Sequence, residues 1–507
     1  MADLYERLIE TRAGYVDESK WLQFLRDAYS GGGGFAGDIA PPLDGWWGAA
    51  ATMYQGGVPG MAQTRRSYLS RHPREDAEKF TRRRDRAHYP RVVEALTRLK
   101  VSSTLRKPAR VDALPDDIEA WRDVAGGNAS LSALRATAAL RAAVVGWTPA
   151  IVDLDQADGL RSRADLRLAG IAPRVTLLAP EQVLDWEADD AGRLAWCKIR
   201  VDRSERPDPL ADARELSTVT IWHPDHWQRW SIEDRAVIAQ DEGGHPFGEV
   251  PLAVLRHSPA LEDPVRGLPM HGGESLEARA LYDYQSWLDE ELSSAAFSVL
   301  VMPGSDASRD DDISIGPKNA LEVPSDATVR PYYLEPSGAA ATALENRIDK
   351  TVRGMYRSAC VEFAREGSAP SSGTARAYEF AQLNRALVSY AEQIAAWDAR
   401  IYRLAGRAMG LGQSALDAVT VTPPTDFDID DVAASLKRIE STLALDVGPR
   451  ASADLRLDAI KLARPGVHPD VLALYEAELD AIARSQAAAA QYDAFGAHGF
   501  DGQQAAE

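Results

Sequence analysis

GSAPSSG at 367–373 runs directly into TARAYEFAQLNRALVSYAEQIAAWDARIYRLAGRAM at 374–409, and this stretch decides the fold. Phe380, Leu383, Leu387, Ile394, Trp397, Ile401 and Leu404 recur at helical spacing, which predicts one helix from Thr374 to Met409. At 1.5 Å per residue it extends roughly 50 Å, longer than one small domain needs. The small residues ahead of it leave the backbone free, and Pro370 restricts one point of it.

Upstream, a helix is expected from about Glu274 to Phe297, entered through Gly272-Gly273. Glu274 and Glu277 lie in its first turn, where the helix dipole favours acids, and Leu281, Tyr284, Leu288 and Leu292 form its apolar stripe. A second helix, about Ala339 to Phe363, carries Leu344, Ile348, Val352, Met355 and Ala359 on one side. Between them Val299 to Pro336 is punctuated by Pro303, Gly304, Gly316, Pro317, Pro324 and Pro331. It holds two short apolar runs, Ile313 to Ile315 and Ala320 to Val323, suited to strands added across subunits. Two helices joined in this way cannot bury both their faces within one chain, and a closed ring of identical subunits would cover them.

Downstream come a strand-like Ala418 to Thr422, Pro423-Pro424, and helices near Asp430 to Thr442, Ser452 to Leu462 and Pro469 to Arg484. The Ala/Gln/Gly-rich tail after Ser485 is expected to fray. Toward the N-terminus, Glu18 to Tyr29 reads as a helix that stops at the glycine run Gly31 to Gly34. The basic stretch from Tyr68 to Lys107 reads as helix with a solvated face, its Phe80, Val92, Val93, Leu96 and Leu99 turned inward. From Pro149 to Leu255 strand-like runs alternate with turns, among them Arg174 to Leu178, Leu194 to Val201 and Ser217 to Trp222. The fold class is therefore α+β and helix-rich.

The 507 residues are 45% hydrophobic and 26% charged, a globular composition, and the net charge of -19 excludes a protein that wraps DNA tightly by counterion release. Cys197 and Cys360 alone offer neither a disulfide framework nor a four-cysteine zinc site, which suits a reducing cytoplasm. The N-terminal stretch lacks the apolar core of a signal peptide, and no membrane partner is expected because no stretch is long and apolar enough to span a bilayer. Trp222, Trp227 and Trp230 with His223 and His226 read as core and edge packing, since the histidine spacing fits no zinc motif.

Several stretches resemble the portal proteins (head-to-tail connectors) of tailed double-stranded-DNA bacteriophages. Trp21-Leu-Gln-Phe-Leu-Arg-Asp-Ala-Tyr29 and Phe80-Thr-Arg-Arg-Arg-Asp-Arg-Ala-His-Tyr89 look like the opening region of one branch. Leu178-Ala-Pro-Glu-Gln-Val-Leu-Asp-Trp186 resembles its wing motif, and Val250-Pro-Leu-Ala-Val-Leu255 the strand before its first stem helix. The glycine run, with Gly56-Gly57 nearby, departs from that pattern. The resemblance implies an N-terminal region at 1–67, an α+β wing at 68–272, stem helices at 273–298 and 339–364, and a small β-containing clip at 299–338. It further implies a tunnel loop at 365–373, a long spanning helix with a return strand at 374–428, a helical crown at 429–485 and a flexible tail at 486–507.

The same resemblance implies a non-enzymatic subunit of a twelve-membered ring at one capsid vertex of the virion, assembled in the host cytoplasm. Its partners would be further copies of itself, duplex DNA passing without sequence preference, the terminase motor, a head-tail adaptor, and the major capsid and scaffold proteins. The tunnel loop would be Gly367, Ser368, Ala369, Pro370, Ser371, Ser372 and Gly373. Candidates to line the channel are Asp283, Asp289, Glu290 and Glu291, whose charge would repel phosphate and let a duplex slide. Asp310, Asp311 and Asp312 would attract a basic adaptor face.

No cofactor is expected. No GxxxxGK[ST] phosphate loop occurs, so an ATP-driven motor would be a different protein. Asp426-Phe-Asp-Ile-Asp-Asp431 lacks the glycine and glutamate of an EF-hand loop, and no metal site is expected there. Two other readings remain open at this level: another ring or shell component of the virion, and a Trp-rich carbohydrate-active enzyme.

Overall fold

The computed structural model describes residues 2–35, 67–154, 172–206, 208–210, 212, 214–260, 263–295, 299–303, 320–323, 330–334, 338–362, 373–425, 427, 439–445, 447–464, 467 and 469–497. The chain forms two compact units, residues 1–427 and 428–507. The fold is mixed α+β.

The first unit opens with helices α1 (Ala2–Ile9) and α2 (Tyr15–Ser30). Gly31 caps α2 in the left-handed region, its amide donating to the Asp27 carbonyl at 2.8 Å. At Gly33, also at positive φ, a Cβ would fall 2.1 Å from the Asp27 carboxylate, so the glycine run is a steric requirement where the chain folds over its own helix. Helices α3 (Ala77–Arg86) and α4 (Val92–Leu105) follow, then strand β1 (Arg110–Asp112) and helices α5 (Asp116–Trp121) and α6 (Leu131–Val145). The basic stretch is less uniformly solvated than its charge suggests: Arg83 and Lys100 are buried.

Two antiparallel sheets form the β portion. One has β2 (Trp147–Asp153) between β3 (Arg174–Leu177) and β9 (Leu252–Arg256). The other is a five-stranded meander of β4 (Val183–Ala188), β5 (Leu194–Glu205), β6 (Arg214–Trp222), β7 (His226–Glu233) and β8 (Ala236–Gly244). Alternation in and out of the sheet places Trp222 and Trp227 in a core with Trp147, Cys197 and Ile199. Trp230 packs with Leu8, Val219 and Ile232. These tryptophans are therefore core residues rather than an open aromatic platform. The short strands β10 (Ser258–Pro259) and β11 (Gly267–Leu268) pair with each other.

The 24-residue helix α7 (Gly272–Ala295) leads to a small sheet. There β12 (Val299–Pro303) pairs in parallel with β13 (Ala320–Val323) and antiparallel with β14 (Tyr332–Leu334). The apolar run at 320–323 pairs within its own chain on one side, with β12 as its neighbour, and remains an edge strand of this sheet. Helix α8 (Ala339–Ser358) follows. The long helix α9 (Gly373–Ala408) runs 36 residues, roughly 54 Å at 1.5 Å per residue. Leu383, Leu387, Ile394, Trp397, Ile401 and Leu404 are all buried, most of them in the largest core with α6, β2 and β9. Each such side chain contributes about 1.5–3 kcal/mol by leaving water. After α10 (Gln413–Asp417), strand β15 (Thr420–Thr422) returns to pair with β1.

The second unit contains α11 (Pro449–Ala463) and α12 (Pro469–Ala497), which pack on one another. The last helix continues well past Ser485, because the alanine-rich segment that follows has high helix propensity.

Candidate functional site

The helix pair α7 and α8 and the elements seated on it form the candidate site. The two helices run antiparallel. Ser358 Oγ, at the end of α8, donates to Glu274 Oε1 at 2.8 Å near the start of α7, and further along the Arg347 guanidinium lies 5.4 Å over the Tyr284 ring. Leu344, Ile348 and Val352 are half-buried and Met355 and Ala359 fully buried, as the expected apolar side requires.

Polar contacts tie α7 to the basic N-terminal stretch. Arg83, 4% exposed, makes a two-pronged ion pair with Glu75 at 2.8 Å for each contact. It also donates to Ser286 Oγ at 3.0 Å and to the Ser70 carbonyl at 2.8 Å. Arg86 pairs with Glu290 at 2.6 Å. The carboxylate of Asp283 accepts from the Ser70 amide at 2.7 Å and from its hydroxyl at 2.8 Å.

These contacts correct part of the acidic channel face. Asp283 is buried, held by a segment 213 residues earlier, and cannot line a channel. On helical spacing it shares a side with Leu276 and Trp287, which remain 56% and 40% exposed. The helical period of α7 carries no sign of the segment that folds over it. Glu290 is exposed but its charge is offset by Arg86, while Asp289 and Glu291 are partly exposed, Asp289 accepting from Gln285 at 3.4 Å.

Among the tunnel-loop candidates, Gly373 begins α9, and Gly367, Ser368, Ala369, Pro370, Ser371 and Ser372 lie outside the described residues. So do Asp310, Asp311 and Asp312, and most of the expected helix near 430–442. Asp426 and 428–431 of the acidic segment are likewise outside them; its Phe427 is buried, with its amide donating to Asn384 Oδ1 at 2.8 Å.

A polar cluster lies under the start of the helix pair. His271 is 3% exposed and sits 3.6 Å from Glu274, with Lys100 buried nearby. Burial opposes ionisation of Glu274, yet His271 at 3.6 Å and the hydrogen bond from Ser358 hold its carboxyl at about 2. Burial pushes the adjacent His257 down to about 4. Nothing in the residue pattern marked this cluster, because its members come from four separate segments.

The stretch Leu178 to Trp186 anchors the N-terminal helices to the five-stranded sheet. Glu181 forms a buried ion pair with Arg26, and the Tyr15 hydroxyl donates to the Glu181 carbonyl at 2.7 Å. Trp186 lies beneath the Arg12 guanidinium at 4.3 Å. Among the described residues no group of three or more His, Cys, Asp or Glu side chains is placed to hold a metal ion, and no helix is long and apolar enough to cross a membrane.

Residues 279–406 match a family described as a domain of unknown function, DUF4055. The match begins within α7, passes through the small sheet and α8, and ends near the close of α9, so it covers the helix pair and its continuation. No curated protein matches the chain.

Proposed function

We propose that the chain is a portal subunit of a tailed double-stranded-DNA phage, a non-enzymatic ring component at one capsid vertex through which the genome enters and leaves. The order of elements from α7 to α9 carries the reading: an antiparallel helix pair joined through a small three-stranded sheet, then a helix that traverses the α+β body. The exposed Leu276 and Trp287, three turns apart on one side of α7, support it, because water is a poor neighbour for that side and a second copy of the chain a better one. On this reading α7 and α8 are the stem, β12 to β14 belong to the clip, and 365–373 is the tunnel loop. Asp310 to Asp312 face the motor and adaptor, and the remaining partners are capsid and scaffold proteins.

Light scattering on the purified chain tests this. The reading expects a closed oligomer of fixed mass, twelve copies by resemblance. A monomer with intact secondary structure over a wide range of concentration and salt overturns it.

A further inference from the structure

A cavity of about 580 Å³ opens beside α9, walled by the β4–β5 turn, the segment ahead of β9, β9 itself and the chain after β10. Its volume lies within the roughly 300–1,000 Å³ range of small-molecule sites. Arg193, Arg256 and Arg400 line it, together with the apolar Leu194, Val254 and Pro264. Two further arginines, Arg403 and Arg407, follow Arg400 along α9 at three and seven residues.

Of the three lining arginines, Arg193 pairs with Asp189 at 2.9 Å and Arg400 with Glu249, which leaves Arg256 as the one without an ion pair among the described residues. Glu249 also lines the cavity, but it is shared between Arg400 at 3.2 Å and Arg407 at 2.7 Å. Asp263, the other lining carboxylate, accepts from the amides of Val265 and Arg266 at 2.8 and 3.1 Å and lies 3.5 Å from the Arg266 guanidinium. Arg256 donates to the Asp263 carbonyl at 3.3 Å; the Asp263 carboxylate attracts it from a distance, but among the described residues no carboxylate forms an ion pair with it. Arg400 is fixed by the carbonyls of Leu252 and Val250 at 3.0 and 3.3 Å, which aim a rigid guanidinium fork without adding charge.

We propose that this cavity binds a phosphate-bearing anion of nucleotide size, with Arg256 and Arg400 holding phosphate oxygens and Leu194, Val254 and Pro264 receiving the apolar part. The Arg256 fork matches phosphate geometry in two-pronged contacts, Arg400 adds a cation held in place by the Leu252 and Val250 carbonyls, and a half-apolar wall accommodates a planar base. Burial pushes the Arg400 pKa down against the raising effect of Glu249, and Arg403, Arg407 and Arg256 close by add to the fall. The inference does not depend on the ring reading. The phosphate could be that of a free nucleotide or of a nucleic-acid strand end.

The full chain titrated calorimetrically with pyrophosphate, with ATP, and with a short blunt DNA duplex distinguishes these. ATP and pyrophosphate are expected to bind at one site per chain, ATP the tighter, with binding weakened at least tenfold in Arg256→Gln. Binding of the duplex alone, lost equally in that variant, supports the site and assigns it to a strand end. Arg193→Gln removes an 81%-exposed rim charge and its 2.9 Å ion pair with Asp189, and should weaken whichever probe binds by several fold. No saturable binding of any probe to the parent chain overturns the proposal, and so does binding unchanged in both variants.

Discussion

The Asp283 carboxylate spans both donors of Ser70, taking the amide at 2.7 Å and the hydroxyl at 2.8 Å, so a residue on the outer side of α7 is fastened to the N-terminal region. The contact joins segments 213 residues apart and stands beside Arg83, which reaches the Ser70 carbonyl and Ser286 together. Exchanging Asp283 for Ala leaves a backbone amide and a hydroxyl unpaired under cover, at a cost of about 1–3 kcal/mol. Chemical denaturation should show that loss, whereas Asp289→Ala, on a partly exposed residue, should stay within about 0.5 kcal/mol. Equal effects of the two would mean that Asp283 is not fastened.

The Arg26 and Glu181 pair predicts a larger effect. Both side chains are about 5% exposed or less, so Glu181→Leu removes the carboxylate facing a buried guanidinium and should cost about 3–5 kcal/mol. Replacing both partners by apolar residues of similar size should recover much of it. Thermal unfolding of the single and double variants checks this, and a double variant no better than the single one would refute the account of that pair.

Acid should weaken the junction beneath the helix pair in two steps. His257, held at about 4 against an ordinary 6.5, favours the fold while neutral, so its contribution is present above pH 6.5 and is lost as pH falls through about 4. Glu274, held at about 2 against 4.5, contributes fully above pH 4.5 and loses that contribution as pH falls through about 2. His257→Gln should therefore flatten the melting-temperature profile between pH 6.5 and 4, and Glu274→Gln the profile below 4.5. An unchanged slope in the matching window would contradict either assignment.

Much of the fold was legible because helices and strands announce themselves by period. The stripe from Leu383 to Leu404 gave the long helix nearly to the residue, and Leu194 to Val201 and Ser217 to Trp222 marked strands that the structure extends. Period does not report what arrives from elsewhere in the chain. Asp283 was a candidate for a channel wall and is covered from Ser70; the 320–323 run is an edge strand, but the strand it pairs with, Val299 to Pro303, was not marked by its period. The arginine-lined cavity was hidden for the same reason, since Arg256 and Arg400 lie on a strand and a helix far apart in sequence. Alanine-rich residues after Ser485 were read for their composition as a loose tail, although their propensity favours helix.

The exposed side of α7 carries the assembly claim at residue level. Trp287→Glu places a charge where the proposal seats a neighbouring copy, and should reduce the oligomer to monomer with helix content unchanged. Mass photometry with far-ultraviolet circular dichroism measures both quantities. Full-size oligomers from this variant would remove α7 from the contact.

Electron microscopy of the purified chain tests the central claim most directly. Class averages viewed down the symmetry axis should show a closed ring with a central hole wide enough for duplex DNA. Single compact particles without a hole, or open sheets of the chain, would contradict it.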